Sequence, residues 1–247
     1  MKYFIGNWKM FGVPKSINIL KKINHFRLRD KNRNKYRVII TPPYTLIETF
    51  ARHFKNKKII IGSQNCYQKD KFSSNTAAVS SFMLKSVGAK YVIVGHSDNR
   101  AEGDTDSMLK NKVKLALRNN LKVIFCVGEN KNQKKNNLTL NTLKKQLDKV
   151  LEKNFNFNNI IVAYEPIWSI GSGKIPSQND LLQTTTHIKK ILKKISKTKS
   201  STVIYGGSVD GKNINMLKQI EEIDGFLIGG ASKSSKNFID IIKNYYR

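Results

Sequence analysis

The sequence predicts an α/β protein, a single (β/α)8 barrel over residues 1–247, and three observations carry that prediction. Short β-branched runs recur eight times, each followed by a polar turn and a stretch of helical periodicity. Strands that alternate with helices imply parallel pairing and right-handed crossovers. Eight such units in 247 residues match a closed barrel, which typically takes about 250 residues. An open doubly wound sheet is disfavoured because no G-x-G-x-x-G follows the first strand.

Taken in order, the first strand is expected over 3–7, with an amphipathic stretch over 16–26. The second, 37–41, precedes a helix over 45–54. The third, 59–62, runs into a long polar loop, 68–75, before a short helix at 81–86. A fourth strand at 91–95 leads to a helix over 106–119. A fifth at 122–127 leads to a helix over 139–153, where Leu143, Leu147, Val150 and Leu151 recur at helical spacing. The sixth strand, 160–164, feeds a helix over 179–195 with Ile188, Ile191 and Ile195 on one face. The seventh and eighth, 202–205 and 225–228, precede helices over 212–219 and 237–245. All eight are short and uniformly apolar, as suits strands covered on both faces. Segment 129–138 is rich in Lys and Asn, lacks an apolar anchor, and reads as a solvated loop with no role in chemistry.

Composition narrows the functional classes. The formal net charge is +28, from 45 Lys and Arg against 17 Asp and Glu, which raises the question of nucleic-acid binding. The basic residues are overwhelmingly Lys, spread along the expected helices, whereas base edges and phosphate forks favour Arg. Asn and Ile are abundant too, so the charge reads as general residue usage, and neither a nucleic-acid nor a membrane partner is expected. Small anionic substrates would be drawn in faster at low salt. Cys66 and Cys126 form no metal or disulfide framework and suit a reducing compartment. No apolar run reaches the eighteen or so residues of a membrane span, and the opening Met1-Lys-Tyr-Phe-Ile5 is too short for a signal peptide, so a cytoplasmic protein is expected.

In such barrels the chemistry sits at the C-terminal ends of the strands. Those ends carry Asn7 and Lys9, Gln64 and Asn65, His96, Glu129, Glu165, Gly206-Gly207-Ser208 and Gly229-Gly230. The stretch 163–174 looks like a base tied to a lid: Glu165 ends a buried strand, Pro166 stops it, Trp168 is a bulky anchor, and Gly171 and Gly173 lie at the tip. Singly, each residue has an ordinary reading: a surface lysine, a histidine at the core rim, a tight turn. Together they have a more specific one. Glycine pairs after the seventh and eighth strands fall where barrels build a phosphate cradle, and Lys, His and Glu on the same rim suit an anionic sugar phosphate.

The motifs Gly6-Asn-Trp-Lys-Met10, Tyr91-Val-Ile-Val-Gly-His-Ser97, Ala163-Tyr-Glu-Pro-Ile-Trp168, Gly171-Ser-Gly-Lys174, Tyr205-Gly-Gly-Ser-Val209 and Gly225-Phe-Leu-Ile-Gly-Gly-Ala-Ser232 resemble the triosephosphate isomerase family, in order and spacing, from residue 2 onward. The resemblance implies a TIM barrel that interconverts dihydroxyacetone phosphate and glyceraldehyde 3-phosphate through an enediolate, in glycolysis and gluconeogenesis. It implies Glu165 as base, His96 as neutral electrophile, Lys9 as electrostatic stabiliser and Asn7 as an orienting group. This pairing of base, neutral imidazole and closing loop belongs to the family's known mechanism and comes with the resemblance, not from the residues alone. Gly171, Ser208, Gly229 and Gly230 would hold the phosphate under a lid of Pro166, Ile167, Trp168, Gly173, Lys174 and Pro176. Neither metal nor organic cofactor is implied, and the partner is a second copy of the chain.

Departures from the family pattern gather at the expected interface. After His96-Ser97 the family usually has Glu-Arg-Arg, whereas this chain reads Asp98-Asn99-Arg100. The shorter Asp98 predicts a looser contact with Lys9. The loop tip that usually reads Thr-Gly-Glu is Thr76-Ala77-Ala78 here. The family's Glu in that loop pairs with the first arginine, so Ala78 and Asn99 remove both charges together, which avoids stranding one of them unpaired. The expected dimer is therefore intact but rewired, with Thr76 and Asp98 at its interface.

Overall fold

A computed structural model describes residues 1–196 and 201–247. Eight strands, β1 (Lys2–Asn7), β2 (Tyr36–Thr41), β3 (Ile59–Ser63), β4 (Tyr91–Val94), β5 (Lys122–Val127), β6 (Ile160–Tyr164), β7 (Thr202–Tyr205) and β8 (Gly225–Ile228), close in sequence order into a parallel barrel. The closure is β8 on β1, in register from Tyr3↔Gly225 to Gly6↔Ile228. Pairing is long between β5 and β6, from Val123↔Ile160 to Val127↔Tyr164, and thin between β7 and β8, where Tyr205↔Phe226 is the register pair. Asp224 reinforces that seam: its N–H donates to the Val203 carbonyl (2.7 Å) and its Oδ2 accepts from the Val203 N–H (2.9 Å).

Period-two alternation divides the core into two layers. Ile5, Ile39, Ile93, Ile124, Ile161, Ala163, Ile204 and Leu227 fill the barrel interior. Phe4, Val38, Val92, Phe125, Val162, Val203 and Phe226 point outward and pack under the helices. The same parity, carried two residues beyond Ile5 and Ala163, puts Asn7 and Glu165 on the inner side at the C-terminal mouth.

The helices agree with the periodicity, with differences at their ends. The helix expected over 139–153 stops at Val150, because Leu151 turns extended (φ −90°, ψ 127°). The stretch expected over 212–219 keeps only Ile214–Leu217 as helix. Asp210 Oδ1 captures the N–H groups of Lys212 (2.7 Å) and Asn213 (2.9 Å), a local bonding pattern that competes with helix. Two five-residue helices, Ser97–Ala101 and Lys131–Lys135, are too short to leave a periodic signal. The second lies inside the expected loop 129–138 and starts at a reciprocal cap, in which Asn130 and Gln133 each accept the other's backbone N–H at 2.9 Å. Among the described residues no helix is long and apolar enough to cross a membrane. Cys66 and Cys126 are buried free thiols.

Candidate active site

At the mouth, a cavity of about 370 Å³ is lined by Asn7, Lys9, His96 and Glu165 together with Gly171, Gly173, Gly206–Ser208 and Gly229–Gly230. The fold thus brings together every catalytic and phosphate-binding residue expected from the sequence.

Glu165 is 3% exposed, with Oε1 3.5 Å from His96 Nε2 and Oε2 buried without a hydrogen-bond partner. Burial pushes its carboxyl above the usual carboxylate range, against the pull of His96, of a hydrogen bond from Cys126 and of Lys9. Gly206 makes room for it, since a Cβ there would stand 2.7 Å from Glu165 Cγ. Gly206→Ala is therefore expected to fold normally by circular dichroism yet lower kcat by roughly 10–100-fold, because small displacements of a reacting group are costly.

His96 begins the Ser97–Ala101 helix, and its Nδ1 accepts the Asp98 backbone N–H (3.1 Å). An accepting Nδ1 puts the proton of the neutral ring on Nε2, the nitrogen that faces Glu165 and the cavity. Lys9 holds a left-handed backbone (φ 53°), an uncommon state for a side chain that is not Gly, Asn or Asp. Its N–H donates to Asn7 Oδ1 (3.1 Å), and its carbonyl accepts from Gln64 Nε2 (2.8 Å), which also donates to the Thr41 carbonyl (2.9 Å). Lys9 Nζ lies 3.0 Å from Asp98 Oδ2. The looser contact expected of the shorter Asp98 is thus not observed: the bond from its N–H to His96 pins its backbone close enough for the short side chain to reach.

The lid is seated over the cavity. Its ends, Pro166 and Pro176, are buried, while 171–174 are exposed, so the segment is anchored at both ends and solvent-facing at the tip. Trp168 Nε1 donates to Glu129 Oε1 (2.8 Å), which also accepts from Tyr164 OH (3.2 Å). Gly173 N–H donates to Ser208 Oγ (3.1 Å), which in turn donates to the Ser169 carbonyl (2.7 Å). Ser169 Oγ donates to the Lys174 carbonyl (2.5 Å) and lies 3.0 Å from Tyr205 OH. Glu129 is fully buried and forms part of the lid's seat, which corrects the reading of 129–138 as wholly solvated. A Cβ at Gly229 or Gly230 would meet open space, so their backbone faces the cavity unobstructed. The Ser208 N–H is held weakly, 3.4 Å from Ser169 Oγ.

Sequence reasoning did not single out Ser169, Cys126 or Arg100. Inward parity from Ile124 would have found Cys126; nothing in the sequence marks Ser169. A second cavity, about 460 Å³, adjoins the first at Asn7, Lys9 and His96 and is lined also by Met10, Tyr44, Asn65, Asp98 and Asn99. Thr76 and Ala77 are exposed on the neighbouring loop and line neither cavity in their own chain. Met10 on this lining is 98% exposed, and Phe72, on the loop that carries Thr76, is 76% exposed.

Comparison with known proteins agrees with this geometry. Residues 2–245 match the family model described as triosephosphate isomerase. The triosephosphate isomerase of Yarrowia lipolytica is 38% identical over 247 residues, covering 98% of each chain. That of Saccharomyces cerevisiae is 35% identical over 248 residues, again covering 98% of each. The crystal structure of triosephosphate isomerase from Bartonella henselae superposes with a TM-score of 0.91 at 31% identity, over 100% of this chain and 99% of that one. With the barrel, the rim residues and these relatives in agreement, the chain belongs to the triosephosphate isomerase family.

Proposed function

We propose the following division of labour for the family's reaction, the glycolytic interconversion of dihydroxyacetone phosphate and glyceraldehyde 3-phosphate. Glu165, as carboxylate, takes a proton from the carbon beside the carbonyl. Electrons of that C–H bond move into an enediolate, and His96 donates its Nε2 proton to the carbonyl oxygen. The ring recovers a proton from the neighbouring hydroxyl, and Glu165 returns its own to the adjacent carbon, so aldose and ketose exchange with no net loss. Lys9 stabilises the negative charge that develops on the oxygens, and Asn7 orients them. Backbone N–H groups of Gly171, Ser208, Gly229 and Gly230 hold the phosphate, whose remote binding energy keeps the lid shut and water out.

The observation that carries this reading is Glu165 Oε1 at 3.5 Å from His96 Nε2, in one cavity with Lys9 and both glycine pairs. A coupled assay with glyceraldehyde 3-phosphate tests it, run in parallel in D2O. Turnover is expected, with carbon-bound deuterium in the fraction of product formed after the Glu165 carboxyl proton has exchanged with solvent; turnover kept in Glu165→Gln would remove Glu165 from the role of base.

The active form in this proposal is a cytoplasmic homodimer. Loop 66–79 of one copy, with Thr76 at its tip, enters the 460 Å³ cavity of the other and reaches toward Asn7. Burial of Met10 and Phe72 supplies the apolar driving force. Sedimentation equilibrium is expected to give twice the chain mass; a monomer with full activity would refute the dimer.

A further inference from the structure

A third cavity, about 370 Å³, lies outside the site between the helix Asp106–Arg118, the helix Thr139–Val150 and the helix Lys131–Lys135. Three of its lining residues are cations, Arg100, Lys145 and Lys149, against one carboxylate, Asp106. That carboxylate is already engaged, 2.9 Å from Lys149 Nζ and 3.6 Å from Arg100 Nη1. Among the described residues Lys145 has no hydrogen bond or ion pair. Gln133, Asn141 and Thr142 add neutral donors to the wall. A pocket of this size with an excess of positive charge and uncommitted N–H groups suits a small compound bearing a phosphate or paired phosphates.

Two wall residues also reach the strands behind the base. Arg100 Nε donates to the Gly95 carbonyl (2.8 Å), and its Nη2 donates to that of Cys126 (3.1 Å), the residue whose side chain bonds Glu165. Gln146 clamps Gly128, accepting its N–H and donating to its carbonyl, both at 2.9 Å. Gly128 lies so close to the Glu165 carbonyl that a Cβ would stand 1.8 Å from it. We infer that this cavity is a second binding site, for a small phosphorylated anion, and that its occupancy is felt at Glu165 through Arg100 and Gln146.

Titration of the full chain with inorganic pyrophosphate, by calorimetry and by steady-state kinetics, tests both parts. Two classes of site are expected. One competes with triose phosphate and raises KM. The other persists at saturating substrate, changes kcat, and weakens at least about tenfold in Lys145→Glu, the usual loss when a charged hydrogen-bond donor is removed. Without pyrophosphate the variant should turn over like the wild type. Lys190→Glu, an exposed charge reversal on the helix Gln178–Ser196, should leave the second class intact. A single competitive class overturns the site, as does a second class weakened equally by both substitutions, which would be attraction to the lysine-rich surface at large. Binding that leaves kcat unmoved overturns the link to Glu165. Calorimetry does not depend on turnover, so failure here is distinguishable from failure of the catalytic roles.

Discussion

Glu165→Gln is expected to lower kcat by about 10²–10⁴-fold, the usual worth of a positioned proton-transfer group. The change keeps the volume of the side chain and removes only its basicity. KM should move little, because the proposed phosphate contacts come from other residues. Fold stability should not suffer, since burial already disfavours the charged form of this carboxyl. The pH profile supplies a second readout. The proposed role needs the ionised carboxylate, whose pKa burial raises, so activity should be present above that pKa and be lost as pH falls through it. The acid limb of kcat/KM should therefore lie above the free glutamate value of about 4.3. Cys126→Ala removes a hydrogen bond that favours the charged form, and should move that limb further up. A Gln variant within tenfold of wild type would show that the proton goes elsewhere.

Lys9→Met should cost about 10²–10³-fold in kcat/KM, the scale of losing one preorganised charge partner in a closed site. Among the described residues Lys9 is the one Lys or Arg lining this cavity, so no neighbour can substitute for it. Because Lys9 lines the cavity proposed to hold the whole anionic substrate, kcat should fall and KM should rise together. Stability decides whether this is a catalytic effect. The Lys9–Asp98 pair is partly solvated, with side chains 35% and 55% exposed, and such pairs are worth about 0–1 kcal/mol. Asp98, once unpaired, is hydrated rather than stranded. The melting temperature should therefore barely change while turnover collapses; parallel losses in both would assign Lys9 to structure.

The barrel was legible because each strand is a short apolar run and each crossover carries its own helical period. Glu165 was legible for a related reason: it closes a buried apolar run and Pro166 ends the strand after it; the structure adds the parity with Ile161 and Ala163 that sends it inward. The helices Ser97–Ala101 and Lys131–Lys135 were not, because five residues complete barely more than one turn. The burial of Glu129 was hidden by its polar sequence neighbours. Its partners, Tyr164 and Trp168, are more than thirty positions away, and only closure of the barrel brings them together. Asp98 shows the limit of side-chain length as a guide, since its reach to Lys9 depends on where the backbone is held.

The thin seam between β7 and β8 has a consequence for how the barrel resists opening. Sheet register there is confined to Tyr205↔Phe226, yet the loops after the two strands carry Ser208 and the Gly229–Gly230 pair, proposed to grip a single phosphate. A bound dianion would then act as a clasp across the joint where the cylinder is least stitched. Separating these staves would require the ligand to leave first, so stability would rise with ligand concentration as RT ln(1 + [L]/Kd). In that sense the metabolite that passes through the enzyme also serves, for as long as it stays, as one of the fastenings of the fold.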